Sequence, residues 1–207
     1  MTAILTEEHL RLVQRLRKAA LLILAVAAIA VLPFVGSAWS EAVHDGLETF
    51  GIGLMIVAIT GRAWCSLYIG GRKLRALVTT GPYSVSRNPL YLFTFIGVFG
   101  LGLQTGAVLP AAVLACLTVA VFATVVPYEE LALRGIFGPE YITYCARVPR
   151  YWPRFSTWQD SKRLEVEPAT IVRTVADALP LLLAYPVMEA FEYLQNAGLI
   201  DAAFAIY

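Results

Sequence analysis

Residues 90–103, LYLFTFIGVFGLGL, run without a charge into QTG at 104–106, and residues 107–126, AVLPAAVLACLTVAVFATVV, run without a charge out of it. A helix rises about 1.5 Å per residue, so about 20 apolar residues cross a hydrocarbon core of about 30 Å. The second run has that length and the first approaches it. Gln104-Thr105-Gly106 then reads as a short polar turn between two antiparallel membrane helices. Working outward, residues 47–69 and 19–35 form two more apolar runs, and residues 178–200 a fifth candidate that Glu189 and Glu192 weaken. The whole chain is 58% hydrophobic with a mean hydropathy of +0.68, above the roughly 45–50% apolar content of a soluble domain. The expected fold is all-α: a polytopic helical membrane protein with four to five transmembrane helices.

The length of the first run and its polar leader, residues 7–18, predict a retained anchor rather than a cleaved signal. Within that leader Leu10, Val13 and Leu16 alternate with Arg11, Arg15 and Lys18 at helical spacing, which predicts a short amphipathic helix in the interface before the first span. The sixteen Lys and Arg fall in 11–18, 62–87 and 134–173, while the connections 36–46 and 104–106 carry none. Four spans therefore put the amino terminus and both basic loops on one side, the cytoplasmic side by the positive-inside rule. A fifth span would carry Tyr207 across. The net charge of +1 gives no reason to expect a nucleic-acid partner.

Between the second and third runs lies GPYSVSRNPLY, residues 81–91. It sets Arg87 and Asn88, a charge and an amide, at a membrane boundary. Unwound backbone there is tolerated only against protein or a polar cavity, and a charge there is a functional candidate. The plainer account is a tight turn, with Asn88 as N-cap and Pro89 at the first position of the next helix. Gly70-Gly71 breaks the preceding helix. Downstream stand Glu129-Glu130 and then FGPEY at 137–141 followed by Tyr144. Adjacent helical residues point about 100° apart, so the two carboxylates cannot share one contact. Arg62, about two turns inside the second span, reads first as a snorkelling side chain and second as part of an acceptor cavity.

In order and spacing, these elements resemble the integral-membrane methyltransferases, the isoprenylcysteine carboxyl methyltransferase and phospholipid N-methyltransferase group. Leu77, Val78, Thr79, Gly81, Tyr83, Arg87, Pro89 and Tyr91 match that group's hinge pattern. Asn88 stands where histidine is usual, although the phospholipid methyltransferases also have asparagine before proline. The resemblance covers residues 62–153. It implies a membrane methyltransferase domain over 1–155 and a carboxy-terminal extension over 156–207. It also implies S-adenosyl-L-methionine as cofactor, entering from the cytoplasm, and a lipophilic or lipid-anchored acceptor arriving sideways between helices.

Carried over by position, Arg87 and Asn88 are the catalytic candidates. The cofactor-binding candidates are Arg75, Ala76, Leu77, Val78, Tyr83, Asn88, Pro89, Leu90, Tyr91, Glu129, Glu130 and Tyr141. Of the acid pair, Glu129 is the better ligand for the methionine ammonium or the ribose hydroxyls through charge-assisted hydrogen bonds. Glu130 does the same or supports neighbouring arginines. The segment from Phe137 to Tyr144 folds over the cofactor in this family, where aromatic faces favour the sulfonium charge.

Val125 occupies the place where the isoprenylcysteine enzymes carry a substrate-binding arginine, which puts recognition of a prenylcysteine carboxylate in question. A phospholipid amine is the alternative acceptor. Tyr144-Cys145-Ala146-Arg147-Val148-Pro149 also resembles the tail of membrane sterol reductases that use NADPH, and a non-catalytic membrane scaffold is the remaining reading. No metal-ligand set is expected. Cys65, Cys116 and Cys145 lack metal spacing, and His9 and His44 are predicted on opposite faces of the membrane.

Overall fold

The computed structural model describes residues 7–71, 75–200 and 204–206. Arg72, Lys73 and Leu74, and the side chains of His9, Leu10 and Arg11, lie outside the described residues. Helix α1 (Glu7–Val31) joins the leader and the first apolar run in one rod. Among the described residues no separate interfacial helix forms, because no glycine or proline between Glu7 and Val31 stops the helix at the boundary. A 3-10 turn at Leu32–Phe34 ends it and leads into strand β1 (Val35–Ser37). That strand pairs in parallel with β2 (Phe204–Ile206), Val35 opposite Phe204.

Helix α2 (Glu41–Ile69) starts after Ser40 and stops at Gly70-Gly71, as the glycines predict. Seven of its eight buried positions, 48, 51, 55, 58, 61, 65 and 68, recur every three or four residues, the spacing of one helix face. Phe50, Ile56, Val57 and Trp64 on the other side are exposed, which suits contact with lipid. After the one-turn helix α3 (Pro82–Val85), helix α4 (Pro89–Gly102) continues through a 3-10 turn at Leu103–Thr105 into α5 (Val108–Arg147). Helix α5 runs past its apolar half to Arg147, interrupted at Gly138, which has non-helical backbone, and Pro139. Helices α6 (Pro168–Ala178) and α7 (Ala184–Asn196) are joined by a turn at Leu179–Leu181.

Among the described residues, four segments are long and apolar enough to cross a membrane: Leu12–Phe34, Glu41–Ile69, Val108–Arg147 and Pro168–Gln195. Pro89–Thr105 is a shorter apolar helix. The last of the four starts at Pro168, ahead of the apolar run at 178–200, and its first helix, α6, packs on α2. Ser66 donates to the Thr174 hydroxyl at 2.9 Å. Helix α2 packs against α4 and α6, α4 against α5, and α5 against α1. The protein is thus an all-α polytopic membrane fold, with α2 running from one end of the bundle to the other.

Candidate cofactor site

The hinge between α2 and α4 has little secondary structure to satisfy its backbone, and the chain that follows α5 supplies the partners. Gly81 N–H donates to the Gln159 carbonyl at 2.7 Å, Arg87 N–H to the Pro149 carbonyl at 2.9 Å, and Arg154 N–H to the Val85 carbonyl at 2.9 Å. Ser86 donates its hydroxyl to the Tyr151 carbonyl at 3.0 Å, and Thr157 to the Ser84 carbonyl at 2.7 Å. Residues 149–159 therefore brace the unwound segment, as a low-dielectric boundary requires. Gly81 has φ +59, and a Cβ there would run into the Tyr68 ring. That ring is fixed in turn by a Tyr68 hydroxyl bond to Asp160 at 2.9 Å.

Asn88 does occupy the cap position of α4, but its side chain makes no capping bond. Its Nδ2 turns instead to the Arg150 carbonyl at 3.0 Å, and its own carbonyl accepts from Tyr91 N–H at 3.1 Å. The Ser86 hydroxyl approaches the same carbonyl at 3.5 Å, so hinge and following chain are tied at this point.

The two glutamates diverge, as their adjacency on α5 dictates. Glu129 accepts from the Tyr91 hydroxyl at 2.5 Å and from Arg17 Nη1 at 2.8 Å, and Arg17 Nη1 also reaches the Tyr91 oxygen at 2.6 Å. Glu130 is buried and holds two arginines. Arg150 grips it through Nε at 3.1 Å and Nη2 at 2.6 Å, and Arg87 Nη1 lies 3.2 Å away. Of the two roles open to Glu130, the support of arginines is the one its contacts express.

These groups surround a cavity of about 160 Å³. Ala76, Leu77, Val78, Tyr83, Arg87, Asn88, Pro89, Leu90, Tyr91, Glu129, Glu130 and Tyr141 all line it, while Arg75 does not. Phe137 and Tyr144 close one side. The Tyr141 and Tyr144 rings are 5.9 Å apart, and the Tyr144 hydroxyl donates to the Tyr83 carbonyl at 2.8 Å. Burial pushes the Tyr83 phenol well above its ordinary value, so it stays a neutral O–H rather than a base. The Tyr83 hydroxyl and Arg87 Nε are both buried without a hydrogen-bond partner. Arg62 lies outside the lining and donates to the Thr94 hydroxyl on α4 at 2.6 Å.

Gln14 in the lining and Arg17 on Glu129 escape the sequence reading. The leader is visibly basic, but which of its cations meets a carboxylate more than a hundred residues away is not a local signal. Two carboxylates, aromatic faces and two orphaned polar atoms suit a ligand with cationic, polar and apolar parts, as S-adenosylmethionine has. The volume is below the roughly 300–1,000 Å³ of most small-molecule sites, so a nucleoside-sized ligand has to widen it.

Long apolar helices with a braced, polar cavity at one end of the bundle define a polytopic membrane protein that carries a small-molecule site. The phospholipid methyltransferase family model matches residues 47–140, from α2 through the break in α5. The cobalt-zinc-cadmium resistance protein CzcN of Cupriavidus metallidurans is 36% identical over 175 residues, 84% of this chain and 81% of the relative. The nickel-cobalt-cadmium resistance protein NccN of Alcaligenes xylosoxydans xylosoxydans is 36% identical over 162 residues, 78% of this chain and 76% of the relative. Protein-S-isoprenylcysteine O-methyltransferase B of Arabidopsis thaliana is 29% identical over 116 residues, 51% of this chain and 59% of the relative. The chain belongs to the family of the CzcN and NccN proteins, and its match over residues 47–140 together with the isoprenylcysteine relative places it with the membrane methyltransferase group. No solved structure matches it.

Proposed function

We propose that the protein is an S-adenosylmethionine-dependent methyltransferase acting on a lipophilic acceptor at the membrane, in the manner of the isoprenylcysteine carboxyl methyltransferases. One observation carries the reading. Hinge residues Tyr83, Arg87 and Tyr91 and the acid pair 129–130 converge on one cavity although they come from separate elements. When bound, the cofactor supplies a methyl group on a sulfonium, and the transfer is an in-line displacement that needs alignment and dryness more than acid–base help.

The chain's own groups divide that work. Glu129 is assigned to the methionine ammonium or the ribose hydroxyls, with Tyr91 holding its carboxylate in place. Glu130 ties Arg87 to Arg150 and fixes the wall behind them. Arg87 Nε, buried and unpartnered, is the donor we assign to an anionic acceptor. Asn88 acts on position only, by fastening Arg150. Phe137, Tyr141 and Tyr144 exclude water and offer aromatic faces to the sulfonium. Burial of the acceptor's chain between helices contributes about 0.8 kcal/mol per CH₂.

A phospholipid amine is the second reading, favoured by Asn88-Pro89 and by the family model over 47–140. The names of two relatives suggest metal stress as the physiological setting. We assign the cavity to the cytoplasmic face, with 1–155 as the methyl-transfer domain and 156–207 as an extension that braces it. Calorimetric titration of S-adenosylhomocysteine into detergent-purified protein tests the assignment, beside Glu129→Ala and with NADPH as rival ligand. Micromolar binding that weakens at least about tenfold in the variant is expected, a change of about 1.4 kcal/mol. Binding of NADPH in its place would overturn the methyltransferase in favour of a reductase, and binding of neither would leave a scaffold. Methyl incorporation into prenylcysteine analogues or phosphatidylethanolamine then chooses the acceptor.

A further inference from the structure

Between His44 and Ile69 helix α2 spans about 37 Å, 25 residues at about 1.5 Å each. At the His44 end is a second cavity, of about 350 Å³, lined by His44, Glu48, Gln104 and Glu192 among others. His44 Nε2 lies 3.3 Å from Glu48 Oε1, one helical turn on, and 3.6 Å from Glu192 Oε2 on α7. The three donor atoms fall within 4.8 Å of one another. Yet His44 Nε2 is buried without a hydrogen-bond partner, so neither approach to a carboxylate has hydrogen-bond geometry.

Gln104 supplies an independent sign. It is 1% exposed, and its Nε2 is committed to the Glu48 and Gly100 carbonyls, each at 3.2 Å. Its Oε1 is buried with no partner and the residue lines the same cavity. One imidazole nitrogen and two carboxylate oxygens thus gather on a cavity that Gln104 also lines, and neither His44 Nε2 nor Gln104 Oε1 has a hydrogen-bond partner. Among the described residues, the ion-pair partner of both carboxylates is His44 and no Lys or Arg. Glu48 is buried, a buried carboxylate needs a counter-charge, and here the natural one is an ion that half-exposed Glu192 would share.

The spacing fits. Metal–ligand bonds of about 2.1 Å at tetrahedral angles put donor atoms about 3.4 Å apart, between the two separations around His44. The donors also sit on braced elements. Gly106 has φ +63 and lies under the His44 ring, where a Cβ would collide. Ser37 holds the Gly106 carbonyl at 2.7 Å, and Gln195 on α7 holds the Pro33 carbonyl at 2.8 Å. We infer that this end of the bundle binds a divalent transition-metal cation through His44, Glu48 and Glu192, with the Gln104 amide oxygen beside it. The imidazole selects zinc, cobalt or nickel over calcium and magnesium, which prefer oxygen alone.

The test uses the full chain in detergent, stripped with chelator and titrated with Co²⁺ while its d–d absorption is followed. Zn²⁺ serves as competitor and Mg²⁺ and Ca²⁺ as controls. One equivalent of Co²⁺ is expected, displaced by Zn²⁺ and untouched by the controls at the same concentration. His44→Ala, Glu48→Gln and Glu192→Gln should each weaken binding at least about tenfold, since losing even a supporting residue of a metal site costs about 10–100-fold. Circular dichroism checks that each variant is folded, and the two amide variants keep the shape of the native side chains if His44→Ala does not fold. Co²⁺ affinity unchanged in the folded variants, or equal competition by Mg²⁺ or Ca²⁺, would overturn the site.

Discussion

The two ends of α2 use carboxylates in opposite ways. At the hinge end Glu129 is held by Arg17 and Tyr91, and Glu130 by Arg87 and Arg150. At the far end Glu48 and Glu192 approach His44 and, among the described residues, no arginine or lysine. Glu130, buried between two arginines, is wall: its charge is compensated and its geometry fixed. Glu48, buried with no such partner among the described residues, is open to a metal, because no arginine or lysine offsets its desolvation. The two cavities should therefore answer differently to the loss of one acid.

The largest effect belongs to Glu130→Ala. Removing one member of a buried ion pair costs about 3–5 kcal/mol because the remaining charge is stranded. Here the lower end applies, about 3 kcal/mol. The Arg150 side chain is 41% exposed and can rehydrate, and Arg87, at 12%, is the charge left behind. Thermal melts in detergent should show a clear loss for this variant, larger than for any single acid of the far end. Equal losses at the two ends would erase the distinction between wall and ligand.

Tyr91→Phe probes the hinge end more gently. The ring stays packed on Phe122, with centroids 4.2 Å apart, while Glu129 loses the hydroxyl that holds Oε2. Arg17 loses its second anchor as well. S-adenosylhomocysteine should bind about tenfold more weakly, a change of about 1.4 kcal/mol. Unchanged affinity would mean that Arg17 alone positions the carboxylate.

The helices and the hinge were legible in the sequence because both are local signals. Length and absence of charge marked the spans, and Gly70-Gly71, Gly81 and Asn88-Pro89 marked the breaks. The pattern from Ala76 to Tyr91, with Glu129-Glu130 and Tyr141, came together on one cavity in the fold. Arg17 on Glu129 was not legible, because the partner of a leader cation is chosen by the packing of α1 on α5. Nor was the length of α1, which needed the absence of a helix breaker to be weighed above the change from polar to apolar. The far cavity was half legible: His44 and Glu48 stand four residues apart on one face, but Glu192 lies in another helix far along the chain. Only the closing of α7 on the α4–α5 turn brings it there.

Glu48→Gln is the smallest change and the one that separates the two ends most cleanly. The amide keeps the carboxylate's shape, and the backbone carbonyl of residue 48 remains for Gln104 to bond. No arginine is stranded by the loss, so the stability of the metal-free protein should move by less than about 1 kcal/mol in either direction. Wild-type protein should melt higher with Zn²⁺ present, since a ligand that binds only the folded state stabilises it by mass action. The variant should lose that increment while keeping its metal-free melting point. A metal-free variant as unstable as Glu130→Ala would mean that Glu48 serves the fold through its charge, and the far end would then be wall as well.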